Sequence, residues 1–89
     1  MIYLDKEDFN ELISSGNVLV DFYATWCGPC KMLEGELEAI EDKIKIVKVD
    51  IDKFQKLTSE YRIMSVPTMV FFKDGEKKEE IVGYHTSDE

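Results

Sequence analysis

The sequence predicts one α/β domain, a central mixed sheet flanked by helices in the order β-α-β-α-β-α-β-β. β-rich runs alternate with segments whose apolar residues recur every three or four positions, a pattern typical of parallel strands joined by right-handed crossovers. Asp74-Gly75 is a two-residue hairpin signal, so we expect one antiparallel pair at the sheet edge. No linker rich in Pro, Gly or Ser divides the chain, so residues 1–89 are expected to form a single domain.

The first half of the chain predicts two strands with a helix between them. Residues 2–4 form a short apolar strand, and residues 18–23 are an apolar run broken by a single acid, typical of a strand buried on both faces. Between them Asp5, with Asp8 three residues on, resembles a helix N-cap signal, and Gly16 supplies the stop. The apolar positions of this helix are Phe9, Leu12 and Ile13.

The second half repeats this pattern around two further helices. Residues 44–51 form a β-rich strand, and Asp52 can cap a third helix that ends before Pro67. Residues 68–72 form the next strand, and the last strand is expected around residues 79–82. The apolar face of the second helix consists of Met32, Leu33, Leu37 and Ile40. The corresponding positions of the third helix are Phe54, Leu57 and Tyr61.

Composition excludes several classes of partner. Nineteen acidic and eleven basic residues give a formal charge of −8, which argues against nucleic acid or an anionic membrane. The N-terminus enters the folded pattern without a basic and then apolar leader, and no run is long enough to span a bilayer. We therefore expect a cytoplasmic location, where a pair of cysteines indicates redox chemistry or metal binding.

Cys27 and Cys30 lie three residues apart, directly after a buried strand and at the start of a helix. The unpaired amides of a first helical turn favour a thiolate, and Pro29 suits that turn because it has no N–H. Cysteines at this spacing share a helix face and can form a disulfide. We expect Cys27 to attack a substrate disulfide and Cys30, one turn deeper, to resolve the mixed disulfide.

Metal binding and an inert role are the alternative interpretations of the cysteine pair. A zinc site within one chain lacks ligands, since His85 is the only histidine, whereas a metal site shared by two chains is consistent with the spacing. Two inert core cysteines are disfavoured because Trp26, Gly28 and Pro29 indicate a loop. We expect no metal and no cofactor other than the redox-active disulfide.

Residues 26–31, Trp-Cys-Gly-Pro-Cys-Lys, resemble the active-site motif of the thioredoxin family residue for residue. The resemblance extends to residues 20–24, 48–50, 66–68, 72–75 and Gly83, and so covers essentially the whole chain in the right order. It implies a thioredoxin-like fold and a protein disulfide reductase. The implied partners are disulfide-containing substrate proteins and a thioredoxin reductase.

The resemblance also implies individual site residues. Asp21 matches the family's buried acid, whose raised pKa suits it to take the proton from Cys30. Lys48 matches the lysine that neighbours and tunes this acid. Pro67 matches a cis-proline that lies against the cysteine pair, and the backbone of Val66 would pair with an extended substrate segment. The implied substrate-contact surface consists of Trp26, Gly28, Pro29, Val66, Gly83 and Tyr84.

Two features depart from the family pattern. Gly35 stands where the family usually has a proline that kinks the helix after the cysteines. The family's last amphipathic helix is also missing from the sequence, of which residues 86–89 resemble only the cap. We therefore expect weak stability or self-association through the sheet face left open. An open face also favours an alternative function as a binding module in which the thiols are secondary.

Overall fold

The computed structural model describes residues 1–86, which form a five-stranded mixed sheet with helices on both faces. The elements are β1 (Ile2–Tyr3), α1 (Phe9–Leu12), β2 (Asn17–Tyr23), α2 (Gly28–Glu38), β3 (Lys45–Asp50), α3 (Gln55–Glu60), β4 (Thr68–Lys73) and β5 (Glu76–Val82). The predicted fold class and order of elements are confirmed. The strands are arranged β1-β3-β2-β4-β5, which places β2 at the centre of the sheet.

Strand β2 is buried on both faces, as its apolar run predicts. Successive residues of a strand point to opposite faces, and each face of this sheet has its own apolar core. Val18, Val20 and Phe22 are fully buried in the core shared with α1 and α3. Leu19 is buried on the other face, where it packs with Leu33 of α2. The acid at position 21 therefore falls on the α2 face.

The expectation of a single antiparallel pair is wrong, because β4 runs antiparallel to both of its neighbours, β2 and β5. The connection between β3 and β4 leaves and re-enters the sheet at the same edge, the one at which β2 and β3 end. Strand β4 therefore begins beside the end of β2, with Thr68 opposite Phe22. This direction brings the segment before β4 next to the start of α2.

Helix α1 is capped by Asp8, and the prediction that gave this role to Asp5 is wrong. The Asp8 carboxylate accepts hydrogen bonds from the backbone amides of Asn10 and Glu11 at 3.0 and 3.4 Å. The Asp5 carboxylate forms an exposed ion pair with Lys53 at 2.6 Å. The helix therefore begins three residues later than the Asp5 signal indicates and has a single turn.

Helix α3 has no side-chain cap, so the prediction that Asp52 caps it is also wrong. The helix begins after Phe54, two residues beyond Asp52. The Asp50 carboxylate accepts hydrogen bonds from the amides of Asp52 and Lys53, and this turn keeps the Asp52 side chain away from the helix start. The side chain of Asp52 instead faces Trp26.

The hairpin between β4 and β5 forms at the predicted dipeptide. Asp74 and Gly75 have positive φ angles of 50° and 85°, as a type I′ turn requires. Strand β5 begins at Glu76, directly after the turn, and so is three residues longer than predicted. Its register with β4 is irregular between Phe71 and Phe72.

One side of α2 borders an open apolar cavity. Leu33 and Leu37 are buried against the sheet as predicted, whereas Met32, one residue round the helix, is 60% exposed. A cavity of about 420 Å³ lies between these leucines and the strand residues Met69 and Ile81. Self-association through this face stays a prediction, and residues 87–89 of the predicted further cap lie outside the described residues. None of the described helices has the length and apolar content to cross a membrane.

Replacing Asp8 with Ala should lower the free energy of unfolding by about 0.5–2 kcal/mol, because two amides of α1 lose their acceptor. Urea unfolding at neutral pH measures this loss. Asp8→Asn should retain most of the stability, since Asn also caps. Asp5→Ala should lose less than Asp8→Ala because its ion pair is exposed. Equal losses from the two alanine variants would contradict the assignment of the cap.

Candidate active site

The two cysteines lie at the first turn of α2 and are joined by a disulfide, with their Cα atoms 5.3 Å apart. Cys27 is the N-cap residue, and its Sγ accepts a hydrogen bond from the Cys30 amide at 3.1 Å. Both side chains are buried, Cys27 slightly less than Cys30, with 5% against 2% exposed. Gly28 and Pro29 between them are exposed. The pair is therefore covered by a turn that faces solvent.

The predicted cis-proline lies beside this pair. The peptide bond between Val66 and Pro67 is cis, and the Val66 carbonyl oxygen lies 3.7 Å from the Sγ of Cys27. Pro67 is buried, and its carbonyl oxygen accepts a hydrogen bond from the amide of Gly83 at 2.8 Å. Gly83 has a φ of 91°, a backbone conformation that favours glycine. The predicted residue Val66 thus contacts Cys27, and Gly83 is held beside Val66 and Pro67 by its hydrogen bond to the Pro67 carbonyl.

Large apolar side chains are exposed around the site. Trp26 is 68% exposed and Met64 is 92% exposed, and both line a groove of about 330 Å³ that includes Val66. The indole Nε1 of Trp26 donates a hydrogen bond to Asp52 Oδ2 at 2.9 Å, which holds the ring at the surface. Trp26 is therefore a surface residue. Tyr84 is 37% exposed, and no described contact joins it to the cysteine pair.

Asp21 and Lys48 lie opposite each other on β2 and β3, and both are fully buried. Lys48 Nζ is 2.9 Å from Asp21 Oδ2. The geometry is that of an ion pair without a directional hydrogen bond, since neither side chain has a hydrogen-bond partner among residues 1–86. Asp21 lies on the sheet face that α2 covers. The predicted pair of acid and lysine is therefore present beneath the helix of the cysteines.

Burial raises the pKa of the Asp21 carboxyl, because removal from water disfavours its charged form. The Lys48 ammonium opposes this rise in the pKa and is outweighed by burial, whereas the charge of Glu34 adds to it. Asp21 therefore holds its proton to a higher pH than an exposed aspartate does. A buried carboxyl whose pKa is raised in this way is a candidate for accepting and releasing a proton.

Lys48 has further neighbours that the sequence reasoning missed. Glu34 Oε2 lies 3.6 Å from its Nζ, and the ring centroids of Tyr23 and Tyr3 lie at 4.6 and 5.7 Å. The spacing of Glu34, four residues after Cys30 on α2, is the signal that could have placed it on this face of the helix. Tyr3 is brought here by the pairing of β1 with β3, which local sequence does not show.

A cysteine pair at the start of a helix, with a cis-proline against it in an α/β domain, defines a thiol–disulfide oxidoreductase. The family model described as Thioredoxin matches residues 1–89, and the chain belongs to the thioredoxin family. Thioredoxin homologues are thiol–disulfide oxidoreductases, and membership implies protein disulfide reductase activity on disulfide-containing partner proteins.

The chain is similar to known thioredoxins both in sequence and in structure. Thioredoxins of Staphylococcus epidermidis and Staphylococcus aureus are each 42% identical to the chain, over 94% of this chain and 85% of theirs. The structure of a mutant thioredoxin from Halobacterium salinarum NRC-1 superposes with a TM-score of 0.91 at 41% identity, over 98% of this chain and 80% of that one. Malassezia sympodialis thioredoxin gives a TM-score of 0.86 at 38% identity, over 97% and 83%.

The stability of the oxidised protein should fall as pH rises through the range in which Asp21 ionises. Below the ordinary pKa of aspartate, Asp21 is protonated in both the folded and the unfolded chain, and its contribution to the free energy of unfolding is present in full. That contribution is lost as pH rises through the raised folded pKa, by about 1.4 kcal/mol for each unit that separates the two pKa values.

Asp21→Asn should remove this part of the pH dependence. Urea unfolding at a series of pH values from acid to mildly alkaline measures the slope, which does not depend on the variant's overall stability. Asp42→Asn, at an exposed position, is the matched control and should keep the slope of the unsubstituted chain. Identical slopes for Asp21→Asn and the unsubstituted chain would contradict the raised pKa.

Proposed function

We propose that this protein reduces disulfides in other proteins, with Cys27 as the attacking thiol and Cys30 as the resolving thiol. The observation that carries the proposal is the position of Cys27, which caps α2 and accepts a hydrogen bond from the Cys30 amide. A thiolate at this position would be stabilised by that amide and by the positive end of the helix dipole. Cys27 is also the more exposed of the two cysteines.

The exchange proceeds in two displacements. The Cys27 thiolate attacks one sulfur of the substrate disulfide, forms a mixed disulfide and expels the other substrate sulfur as a thiolate. Cys30 then loses its proton and attacks Cys27 Sγ, which forms the Cys27–Cys30 disulfide and expels the second substrate thiolate. The substrate gains the two electrons that the cysteine pair loses. The pair releases two protons, one when Cys27 forms its thiolate and one from Cys30, and the two expelled thiolates take up two protons.

We assign Asp21 as the acceptor of the proton that Cys30 releases. Its burial on the α2 face and its raised pKa support the role, because a higher pKa makes a carboxylate a stronger base. Lys48, 2.9 Å away, would keep part of the Asp21 population ionised and so available as a base. Neither residue touches the substrate in this account, and both act inside the protein.

The groove beside the cysteines is the surface that we assign to substrate. An extended segment would pair with the backbone of Val66 as a short added strand, with Pro67 fixing that backbone next to Cys27. The exposed ring of Trp26 and the turn at Gly28 and Pro29 would contact the substrate's side chains. Gly83 and Tyr84 would border the same surface. A surface of this kind suits exposed segments of proteins and not one small molecule.

The proposed electron donor is a thioredoxin reductase, which would return the disulfide to the dithiol after each cycle. The Gly-Pro dipeptide and the lack of a histidine between the cysteines support this reducing role. A reducing role in turn supports a cytoplasmic location. The redox-active disulfide is the only cofactor that the proposed cycle uses, and neither nucleic acid nor membrane takes part in it.

The Cys30→Ser variant should accumulate a covalent mixed disulfide with a disulfide-containing protein such as insulin, because the resolving thiol is lost. Non-reducing mass spectrometry of the reaction mixture measures the adduct and the cysteine that carries it. Cys27→Ser is the control and should form much less adduct, since its remaining thiol is the more buried one. Equal trapping by the two variants would contradict the assigned order of attack.

The variant with both cysteines replaced by serine distinguishes a reductase from a binding module. A reductase loses all turnover of the test disulfide, whereas a module retains binding of its partner without either thiol. The serine side chains are close in size to cysteine, so the fold should persist. A partner function that persists fully in the double variant would favour the binding module.

A further inference from the structure

A single ammonium group, that of Lys48, lies close to two carboxylates behind the active-site helix. Lys48 Nζ lies 2.9 Å from Asp21 Oδ2 and 3.6 Å from Glu34 Oε2. The Lys48 and Asp21 side chains have no exposed surface, whereas the Glu34 side chain is 40% exposed. The cluster therefore has one buried acid, one buried base and one acid in contact with water.

Glu34 links this cluster to the cysteine helix. It lies on α2 four residues after Cys30, and the two residues line the same cavity of about 290 Å³. The aromatic rings of Tyr3 and Tyr23 line this cavity as well. Glu34 thus stands between solvent and the Lys48 ammonium, on the same side of the sheet as Asp21.

The groups that face Lys48 come from three elements. Strand β2 contributes Asp21 and Tyr23, helix α2 contributes Glu34, and strand β1 contributes Tyr3. Charged residues in the next layer are Lys31, at the cavity wall, Glu38, which acts on Tyr3, and Asp50 and Lys53, which act on Tyr23. At the centre, two carboxylates compete for one ammonium.

We propose that Glu34 is a positioning residue for disulfide reduction: by sharing the Lys48 ammonium, it strengthens the hold of Asp21 on the proton that Cys30 releases. The proposal rests on the proposed role of Asp21 as the acceptor of that proton. Without Glu34, the Lys48 ammonium would be left to Asp21 alone and would favour the ionised carboxylate more strongly. The base would then be weaker.

The effect of Glu34 on the pKa of Asp21 has the direction that this geometry predicts. Glu34 is among the groups that raise the pKa of Asp21, after burial has set the main part of the rise. Burial raises the pKa of the Tyr3 phenol to about 12, and the neighbouring Glu34 carboxylate adds to this rise. Tyr3 therefore stays neutral at physiological pH and adds no further charge to the cluster.

The test is the Glu34→Gln variant, which removes the charge and keeps the side chain's size at a partly exposed helical position. The carbon-13 NMR signal of the Asp21 carboxyl, followed against pH in the oxidised protein, measures its proton affinity directly. We expect its titration midpoint to move to lower pH by about half a unit to one unit. The acid limb of the rate of mixed-disulfide resolution should move in the same direction.

Glu36→Gln is the matched control. It makes the same change of charge on the same helix, but Glu36 lines the apolar cavity between α2 and β4–β5 and not the cavity of Cys30. The titration midpoint of the Asp21 carboxyl should move much less in Glu36→Gln than in Glu34→Gln. Equal shifts in the two variants would overturn the proposal, because the effect would then be that of net charge alone.

A double-mutant cycle tests whether Glu34 acts through Lys48. In a Lys48→Met background the shift caused by Glu34→Gln should shrink, because the shared ammonium is gone. An undiminished shift in that background would overturn the sharing of Lys48. The cycle compares shifts of one signal and is independent of the variants' absolute stabilities.

Asp21→Asn separates failure of this inference from failure of the proposed function. If Asp21→Asn abolishes the acid limb of resolution while Glu34→Gln moves neither the limb nor the titration, the inference is overturned and the role of Asp21 stands. If Asp21→Asn leaves resolution and its pH profile unchanged, the role of Asp21 as proton acceptor fails, and with it the proposal that rests on it.

Discussion

Two ionisable side chains lie buried beneath the cysteine helix, those of Asp21 and Lys48, 2.9 Å apart on adjacent strands. Their removal from water opposes folding, and replacement of such pairs by apolar residues is often neutral or stabilising in other proteins. Stability therefore gives little reason to keep them. The proposed proton transfer from Cys30 gives one, because burial raises the pKa of the Asp21 carboxyl while the Lys48 ammonium limits the rise.

The direction of β4 places the remaining residues of the site beside the cysteine loop. Since β4 runs antiparallel to β2, its first residue lies beside the end of β2, where the cysteine loop begins. Pro67 and Val66 are thereby placed against Cys27, and β5 returns Gly83 to the Pro67 carbonyl. The proposed attacking thiol, the backbone proposed to pair with substrate and the proposed proton acceptor thus come from different elements that the sheet aligns.

Local patterns in the sequence were sufficient for the element order, the hairpin at Asp74 and Gly75, and the cysteine chemistry, because each depends on residues close together in the chain. The resemblance to thioredoxins added Asp21 and Lys48, which are 27 positions apart and meet only through strand register. The direction of β4 could not be predicted from alternating patterns, because a strand alternates in the same way whichever direction it runs. Tyr3 and Glu34 were missed for a similar reason, since their partner Lys48 lies on another strand.

A redox titration of the Cys27–Cys30 pair against a dithiol buffer, followed by alkylation and mass spectrometry, tests the central claim most directly. We expect a single two-electron transition between dithiol and intramolecular disulfide, with a midpoint near the roughly −270 mV of thioredoxins. A midpoint near the roughly −120 mV of a strong oxidant, or the failure of the pair to form an intramolecular disulfide at any potential, would contradict the assignment as a protein disulfide reductase.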